Sequence, residues 1–372
     1  MSGGERAGIA AIATKIAEEI APWLKWKIHA PYDQNFSCNQ VASHATKKTD
    51  PTKPPAKEHN HPVDSVYSYI DPYTDRTVAI NTDLKSYAKD SIKQSAMRTA
   101  LKSLAQSIDC ARYSIEWKEK YSFTEENIDI RGMLFVYNHD GDWDGNFHEI
   151  FYGNKTLKKL GRQSRTENEN DINIQNIGLQ ENQQIHILDP NSIKYIKTVI
   201  DDLEKLHSRR QFNKKNYQFF YPDLNLHKVN KPPSERPATL ELVSAPFMII
   251  EYQGSKFYDE EGIQVEEIEA GYKIYYREKI RDWKDLFFLI DSLSNYQILN
   301  SDKKISIRPI SHDQDETIKS HFRTAKNEYT KKWGKTEILN NIEFEPIATV
   351  SDFFSKQDIG WNHGKPESLH AE

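Results

Sequence analysis

Long hydrophobic runs, cysteines and phosphate-binding loops are absent or scarce in this chain of 372 residues. Nowhere do 18 consecutive apolar residues occur, so no transmembrane helix is expected. The N-terminal stretch MSGGERAGIAAIATKIAEEIAPW carries an early Glu and no long apolar run, which does not fit a signal peptide. The absence of a Walker-type loop, a Rossmann fingerprint and a G-x-S-x-G elbow excludes an ATP motor within the chain.

Cysteine is nearly absent, with Cys38 and Cys110 far apart in the sequence. This pair predicts neither a disulfide framework nor a thiolate zinc site, and it suits a reducing cytosol. The segment EHNHP places His59 and His61 just before Asp64. Because a Pro-rich loop is a poor scaffold for a metal, these histidines are interpreted at most as substrate contacts. We therefore expect a cytoplasmic protein.

The composition is that of a soluble globular protein on the polar side, with 37% hydrophobic and 28% charged residues and a formal net charge of −5. A mildly acidic total does not exclude nucleic acid as a partner, because a local basic face is sufficient for binding. It does argue against a small, histone-like coating protein. The length predicts two or three domains.

Hydrophobic periodicity predicts an α/β or α+β arrangement in the first part of the chain. The predicted elements are a helix over 5–24, strands over 63–70, 77–85, 132–138 and 145–153, and a long helix from Lys89 to Trp117. Further elements are a helix over 192–206, strands over 245–252 and 271–279, and a helix over 282–299.

The strands over 63–70 and 77–85 are joined by DPYTDR, which predicts a hairpin centred between Tyr73 and Thr74. Paired positions in such a hairpin add up to 147, which sets Asp64 opposite Asp83. Lys85 shares the face of Asp83, since residues i and i+2 point the same way. The other face is apolar, with Val78, Ile80 and Leu84.

Two carboxylates directly opposite each other repel and destabilise a hairpin. A hard divalent cation removes that penalty, because Mg²⁺ prefers oxygen ligands and is often held by one or two carboxylates. Such an ion polarises a phosphoryl oxygen and acidifies a bound water. Lys85 can then orient or deprotonate that water and stabilise the developing negative charge. The alternative is an edge ribbon with one solvated face, on which Asp83 and Lys85 form a surface pair of little energy.

The first predicted helix offers a third carboxylate. Glu5 lies four residues before Ile9, on the inward side of the helix, and Glu19 is the weaker candidate. A metal cluster would explain an inward Glu. The alternative is that a Glu in the first turn complements the helix dipole.

A helix with an inward Glu, then PVD, then a hairpin into TDLK, then a long helix and a strand resembles the PD-(D/E)xK nuclease superfamily, the restriction-endonuclease-like fold. The resemblance covers about the first 150 residues. It implies metal-dependent phosphodiester cleavage, with Asp64 and Asp83 as ligands of Mg²⁺ and the Leu84 carbonyl as a further ligand. Lys85 would act on the attacking water, and Glu5 matches the helical Glu. PVD has one extra residue between Pro and Asp, and the tripeptide has Asp where Glu is commoner.

Two further patterns have bland alternatives. Lys89, Lys93, Arg98 and Lys102 form a basic stripe that can neutralise phosphates, or an ordinary solvated helix face. The loop HDGDWDG over 139–145 has the spacing of a calcium loop, but the EF-hand Glu position is Phe151, which favours a solvated turn.

The resulting prediction is a restriction-endonuclease-like α/β core over 1–160, a connecting region over 161–237, and an α+β regulatory, recognition or partner-binding domain over 238–372. The predicted function is Mg²⁺-dependent cleavage of DNA, with Mn²⁺ as a substitute, in a bacterial restriction or anti-phage defence system. The partners expected besides DNA are a second copy of the chain or a separate defence protein. The alternatives are a catalytically silent module of this fold that binds a protein or nucleic acid, and a nuclease that acts on RNA.

Overall fold

The computed structural model describes residues 3–45, 58–125, 127–152, 172–222, 224, 236–258, 261, 264–299, 303–311, 316–334 and 336–350. The side chains of 3–10, 258, 265, 266, 311 and 336 lie outside this description. The chain folds as two compact units, one formed by 3–71 and 75–193 and the other by 72–74 and 194–350. The predicted boundaries at 160 and 237 stay a prediction.

The first unit is built on a mixed five-stranded sheet. Its strands, in spatial order, are β1 (Lys27–His29), β4 (Ser65–Ile70), β5 (Thr77–Tyr87), β6 (Asp129–Asn138) and β7 (Ile185–Leu188). The first three pair antiparallel, whereas β5, β6 and β7 run parallel. A separate antiparallel ribbon consists of β2 (Gln34–Ser37) and β3 (Asn60–Val63). This is the predicted mixed α/β core.

The helices of the first unit are α1 (Gly3–Ile20), α2 (Val41–His44), α3 (Gln94–Ala111), α4 (Ile115–Lys120), α5 (Phe147–Tyr152) and α6 (Ile174–Ile177). Helix α3 packs on the face of β5 that carries Ala79 and Asn81, and Asn81 donates a hydrogen bond to Ser107 on α3 at 2.8 Å. The other face of β5, with Val78 and Ile80, is also buried, and α1 packs against β5 and β6. Strand alternation therefore gives β5 two buried faces.

The single helix predicted from Lys89 to Trp117 is wrong. A 3₁₀ turn spans Lys89–Ser91, Lys93 has extended backbone angles, and α3 begins at Gln94. At the other end, Ser114 accepts a hydrogen bond from the Trp117 N–H at 3.1 Å and so caps α4. Apolar periodicity continues across these breaks, but the caps divide it.

The strand predicted over 145–153 is wrong as well, because Phe147–Tyr152 form α5. The side chain of Asn146 accepts a hydrogen bond from the His148 N–H at 2.8 Å, as an N-cap does. Phe147, Ile150 and Phe151 pack together against the hydrophobic core, at the spacing of one helical face. The prediction of a strand followed the alternation of aromatic and polar residues, which is typical of strands but here belongs to a helix.

The second unit is α+β. Its main sheet has the spatial order β14 (Ile342–Phe344), β13 (Lys304–Ser311), β12 (Gly271–Tyr276), β9 (Phe247–Tyr252) and β8 (Tyr217–Phe219), and β15 (Ile347–Ala348) also pairs with β13. A small ribbon consists of β10 (Ser255–Tyr258) and β11 (Gln264–Ile268). Its helices are α8 (Leu240–Val243), α9 (Trp283–Asn295), α10 (Glu316–Trp333) and α11 (Thr336–Asn340). Helix α7 (Pro190–Ser208) begins in the first unit and continues into this one.

Each unit has a hydrophobic core of its own. That of the first unit lies largely between α3 and its sheet, and that of the second lies among the main sheet, α9 and α10. Within the described part of the chain, no helix combines the length and apolar character needed to span a bilayer.

Candidate active site

The hairpin of β4 and β5 has the predicted register. Its pairs run from Ile70↔Thr77 to Ser65↔Thr82, each adding up to 147. The ladder ends there, so Asp64 is not itself a paired strand residue. It is the single residue between β3 and β4, and its N–H donates to the Thr82 carbonyl at 3.2 Å. Asp64 therefore lies where the chain leaves the β2–β3 ribbon and enters the main sheet.

Three charged side chains converge beside this junction. The Leu84 N–H donates to Asp64 Oδ2 at 2.6 Å, which holds the Asp64 carboxylate against β5. The ammonium of Lys85 contacts Asp83 Oδ1 and lies 4.0 Å from Asp64 Oδ2. All three side chains are partly enclosed, at 28% exposure for Asp64, 18% for Asp83 and 29% for Lys85.

The electrostatics follow from two acids sharing one cation. Burial raises the pKa of Asp64 to about 6, and the negative charge of Asp83 adds to this effect, against the opposing influence of Lys85. Burial alone would lower the pKa of Lys85, but the neighbouring Asp83 outweighs it and the pKa is raised. Lys85 is thus cationic at neutral pH. One lysine does not neutralise both acids, and the remaining negative charge favours a further cation.

These groups line a cavity of about 520 Å³ between β5 and α3. Helix α3 contributes small and hydroxyl-bearing residues: Ser95, Ala96, Thr99, Ala100 and Ser103. Sequence reasoning missed them because it followed charges alone. The available signal was the repeat of Ser or Thr at positions 95, 99 and 103, which is one face of a helix. Small side chains on that face leave room for a substrate beside the acids.

Comparison with protein families gives a match over the same region. The family model described as the PD-(D/E)XK nuclease domain of the GAPS4 protein matches residues 1–192. The chain belongs to this family. Comparisons with curated proteins and with solved structures found no match. The fold of the first unit is thus that of a PD-(D/E)xK nuclease domain, followed by a C-terminal α+β region.

Within the nuclease domain, the predicted basic stripe is divided among different elements. Lys89 lies in the 3₁₀ turn and pairs with Asp144 at 2.7 Å, and Lys93 precedes α3. Arg98 and Lys102 lie on α3, four residues apart. Lys102 lines a second cavity, of about 580 Å³, and the described lining of the Asp64 cavity contains none of these four residues. The predicted role of the four in nucleic-acid binding stays a prediction.

The third predicted carboxylate of the nuclease domain belongs to α1. The backbone of Glu5 is helical, as predicted, but its side chain lies outside the described residues. Glu19, the weaker candidate, is exposed. The role of Glu5 as a metal ligand stays a prediction.

The acidic loop over 139–145 is a turn whose Asp140 and Asp144 carboxylates have partners within the protein. Asp140 accepts hydrogen bonds from the Lys89 N–H at 2.9 Å and from the Asn138 amide at 2.7 Å. Asp144 pairs with Lys89. The carboxylates of Asp140 and Asp144 thus fix the 3₁₀ turn that leads into α3, as the solvated-turn alternative allows.

Proposed function

We propose that this chain is a divalent-metal-dependent endonuclease that hydrolyses DNA phosphodiester bonds, with Mg²⁺ as the ion and Mn²⁺ as a substitute. The observation that carries the proposal is the meeting of Asp64, Asp83 and Lys85 at one cavity within a PD-(D/E)xK nuclease domain. A place in a bacterial restriction or anti-phage defence system, with a second copy or a separate defence protein as partner, is proposed by analogy with nucleases of this type.

The donor atoms of the cavity fit a hard cation. The carboxylates of Asp64 and Asp83 flank the same ammonium of Lys85 and act on each other electrostatically, so we expect both to ligate one ion, at about 2.1 Å each. Both polar backbone groups of a strand residue point to the same neighbouring strand, so the Leu84 carbonyl points to the side of its N–H and of Asp64. Asp64, Asp83 and the Leu84 carbonyl would hold the ion, with Glu5 as the proposed fourth ligand.

When bound, the ion would polarise a phosphoryl oxygen and acidify a coordinated water. Lys85, cationic beside Asp83, donates hydrogen bonds that orient the attacking water and offsets the charge that develops on the phosphate. Ser95, Thr99 and Ser103 offer hydroxyl donors to phosphate oxygens from the opposite wall, Thr99 by turning its proton away from the Ser95 carbonyl. Arg98 and Lys102 lie on the same helix and supply positive charge along the proposed path of the DNA phosphate backbone.

The test is cleavage of plasmid DNA and of RNA by the full chain, with and without added Mg²⁺, for the wild type, Asp83→Ala and Lys85→Ala. Glu119→Ala, a charge removal at an exposed position of α4, is the matched control. We expect Mg²⁺-dependent DNA cleavage by the wild type and the control, and loss of cleavage in both site variants.

Cleavage without metal, or cleavage that survives both site variants, would contradict the mechanism. Cleavage of RNA but not of DNA would transfer the same site to the RNA-directed alternative. Binding of nucleic acid without cleavage of either substrate under all metal conditions would favour the catalytically silent module.

A further inference from the structure

Four metal-binding side chains meet in the first unit, away from the acidic cavity. They are Cys38, His44, His61 and Cys110, and one ligand atom of each lies within 4.8 Å of those of the other three. The two Sγ atoms are 3.6 Å apart. His44 Nδ1 is 3.5 Å from Cys38 Sγ and 3.3 Å from Cys110 Sγ.

These separations are those of ligands around a tetrahedral zinc ion. With Zn–S near 2.3 Å and Zn–N near 2.05 Å, tetrahedral angles set two sulfurs about 3.8 Å apart and a sulfur and a nitrogen about 3.6 Å apart. A covalent disulfide would bring the sulfurs to about 2.05 Å. The observed distance is longer, so Cys38 and Cys110 are free thiols in this arrangement.

The histidine His61 supplies an independent sign of a missing ligand. Its side chain is 1% exposed, and its Nε2 is enclosed without a hydrogen-bond partner among the described residues. A buried ring nitrogen without a partner is costly, and metal coordination of the imidazole is one way to satisfy it. His61 is one of the four residues of the cluster.

The surrounding groups resemble the outer shell of a zinc site. His44 Nε2 lies 3.5 Å from Asp109 Oδ2, and Asp109 is itself held by the side chains of Gln40 at 2.8 Å and Gln183 at 3.0 Å. A carboxylate behind a metal-bound imidazole fixes the ring and its tautomer. The Gln40 N–H also donates a hydrogen bond to Cys38 Sγ, at 3.3 Å.

We propose that Cys38, His44, His61 and Cys110 bind one Zn²⁺ in a closed, tetrahedral, structural site. Two thiolates and two imidazoles suit zinc rather than the hard Mg²⁺ of the acidic cavity. Four protein ligands leave no open position, so this zinc does not activate water. Binding deprotonates both thiols, and the two protons are released to solvent.

The site ties together elements that form the walls of the acidic cavity. Cys38 follows β2, His61 lies in β3, and Cys110 lies in the last turn of α3. Asp64 comes three residues after His61, and the first half of α3 lines the opposite wall. Zinc therefore fixes α3 against the β2–β3 ribbon and so sets the position of Asp64.

A zinc ion bound here would run against the expectation of no thiolate zinc site, which stays a prediction. Cys38 and Cys110 are 72 residues apart in the sequence, yet their sulfurs are in contact. His61 is a buried strand residue rather than part of a loose Pro-rich loop. Neither the separation of the cysteines along the chain nor the local composition predicts that α3 packs on the β2–β3 ribbon.

The first test is the zinc content of the full chain, purified without chelator or a histidine tag and measured by mass spectrometry of the metal. We expect one zinc per chain in the wild type. We expect close to none in His61→Asn and in the double variant Cys38→Ser, Cys110→Ser. His148→Asn, at an exposed position of α5, is the matched control and keeps its zinc. Asp83→Ala also keeps it, which separates this site from the acidic cavity.

A second measurement is needed in case the ligand variants do not fold. Exchange of the wild-type metal for Co²⁺ should give the visible bands of tetrahedral cobalt and a thiolate charge-transfer band. Both thiols should resist a thiol reagent until a strong chelator is added, and thermal unfolding should then shift to lower temperature. A wild type without zinc, without these cobalt bands and with both thiols reactive would overturn the proposal. A Cys38–Cys110 disulfide found by peptide mapping would overturn it as well.

Discussion

The two units each enclose acidic groups beside a strand, but they balance the charge differently. In the second unit, Arg308 donates to both oxygens of Asp202, at 2.5 and 2.7 Å, and to Glu345 at 2.7 Å. Tyr275 also donates to Asp202, at 2.7 Å. In the first unit, Asp64 and Asp83 share the one ammonium of Lys85.

Surroundings differ as much as pairing. Asp202 and Arg308 are 7% and 5% exposed and are enclosed by protein, whereas Asp64, Asp83 and Lys85 line a cavity. A closed, bidentate pair with its hydrogen bonds satisfied is explained by structure alone. An excess of acid at a cavity has no such explanation and favours a bound cation. The number of partners per acid and the exposure to a cavity together distinguish the proposed metal site from the enclosed ion pair.

The largest expected effect is a loss of folding stability when the enclosed ion pair of Asp202 and Arg308 is broken. Asp202→Ala leaves the Arg308 guanidinium buried with one of its carboxylates removed, and should lower the free energy of unfolding by about 3–5 kcal/mol. Asp83→Ala, without added divalent ions, should change it by less than about 1 kcal/mol, because it removes one of two repelling acids. Denaturant unfolding of both variants measures the contrast. Equal losses would remove the distinction between the clusters.

The second prediction concerns pH. The pKa of Asp64 is about 6 in the folded state, above its usual 3.8, so the folded chain binds this proton more tightly than the unfolded chain does. The resulting stability is present below pH 4 and is lost as the pH rises through about 6. Asp64→Asn should therefore be more stable than wild type at pH 8, by about 1–3 kcal/mol, and similar to it at pH 4.

Thermal unfolding across this pH range, without added divalent ions, tests the second prediction. Glu119→Gln on α4 serves as the matched carboxylate removal and should show no such pH-dependent gain. Adding Mg²⁺ should stabilise the wild type and have little effect on Asp64→Asn. A gain that is equal at pH 4 and pH 8 would contradict the assignment of the raised pKa to Asp64.

These predictions depend on parts of the molecule that the sequence revealed to different degrees. The register of the hairpin was predictable, because the turn DPYTDR and the two-residue alternation of β5 are local. The ends of α3 and the helical state of α5 were not, because Lys93, Ser114 and Asn146 set them through single backbone or capping interactions. The wall formed by the hydroxyl groups of Ser95, Thr99 and Ser103, here called the hydroxyl wall, was not predictable either. It is a candidate for substrate binding only because α3 packs over Asp83.

The third prediction compares one threonine in each unit. Thr99 and Thr324 both donate to the carbonyl four residues earlier, at 2.9 and 3.1 Å, but only Thr99 lines the acidic cavity. Thr99→Val should reduce kcat/KM for DNA cleavage about three- to tenfold, as expected for one lost hydrogen bond. Thr324→Val should leave cleavage unchanged. Steady-state kinetics measure kcat/KM for both variants. Equal changes in the two would show that the hydroxyl of Thr99 does not contact the substrate.

The smallest expected effect concerns the basic residues. Lys102→Gln on α3 should weaken DNA binding at low salt and reduce the slope of log affinity against log salt by about 0.7–0.9, the contribution of one phosphate contact. Lys284→Gln, at an exposed position of α9 in the second unit, is the matched control and should leave the slope unchanged. Fluorescence anisotropy at several salt concentrations measures both. An unchanged slope for Lys102→Gln would exclude this residue from the DNA path.

The sequence by itself determined which face of the hairpin carries Asp83 and Lys85, because strand periodicity and turn position are short-range properties. It also contained the spacing by which the chain resembles a PD-(D/E)xK nuclease. Only the tertiary structure decided that α3 lies over those charges and that Cys38 meets Cys110. Contacts between elements distant in sequence depend on how their faces pack, and no local pattern in the chain records that packing.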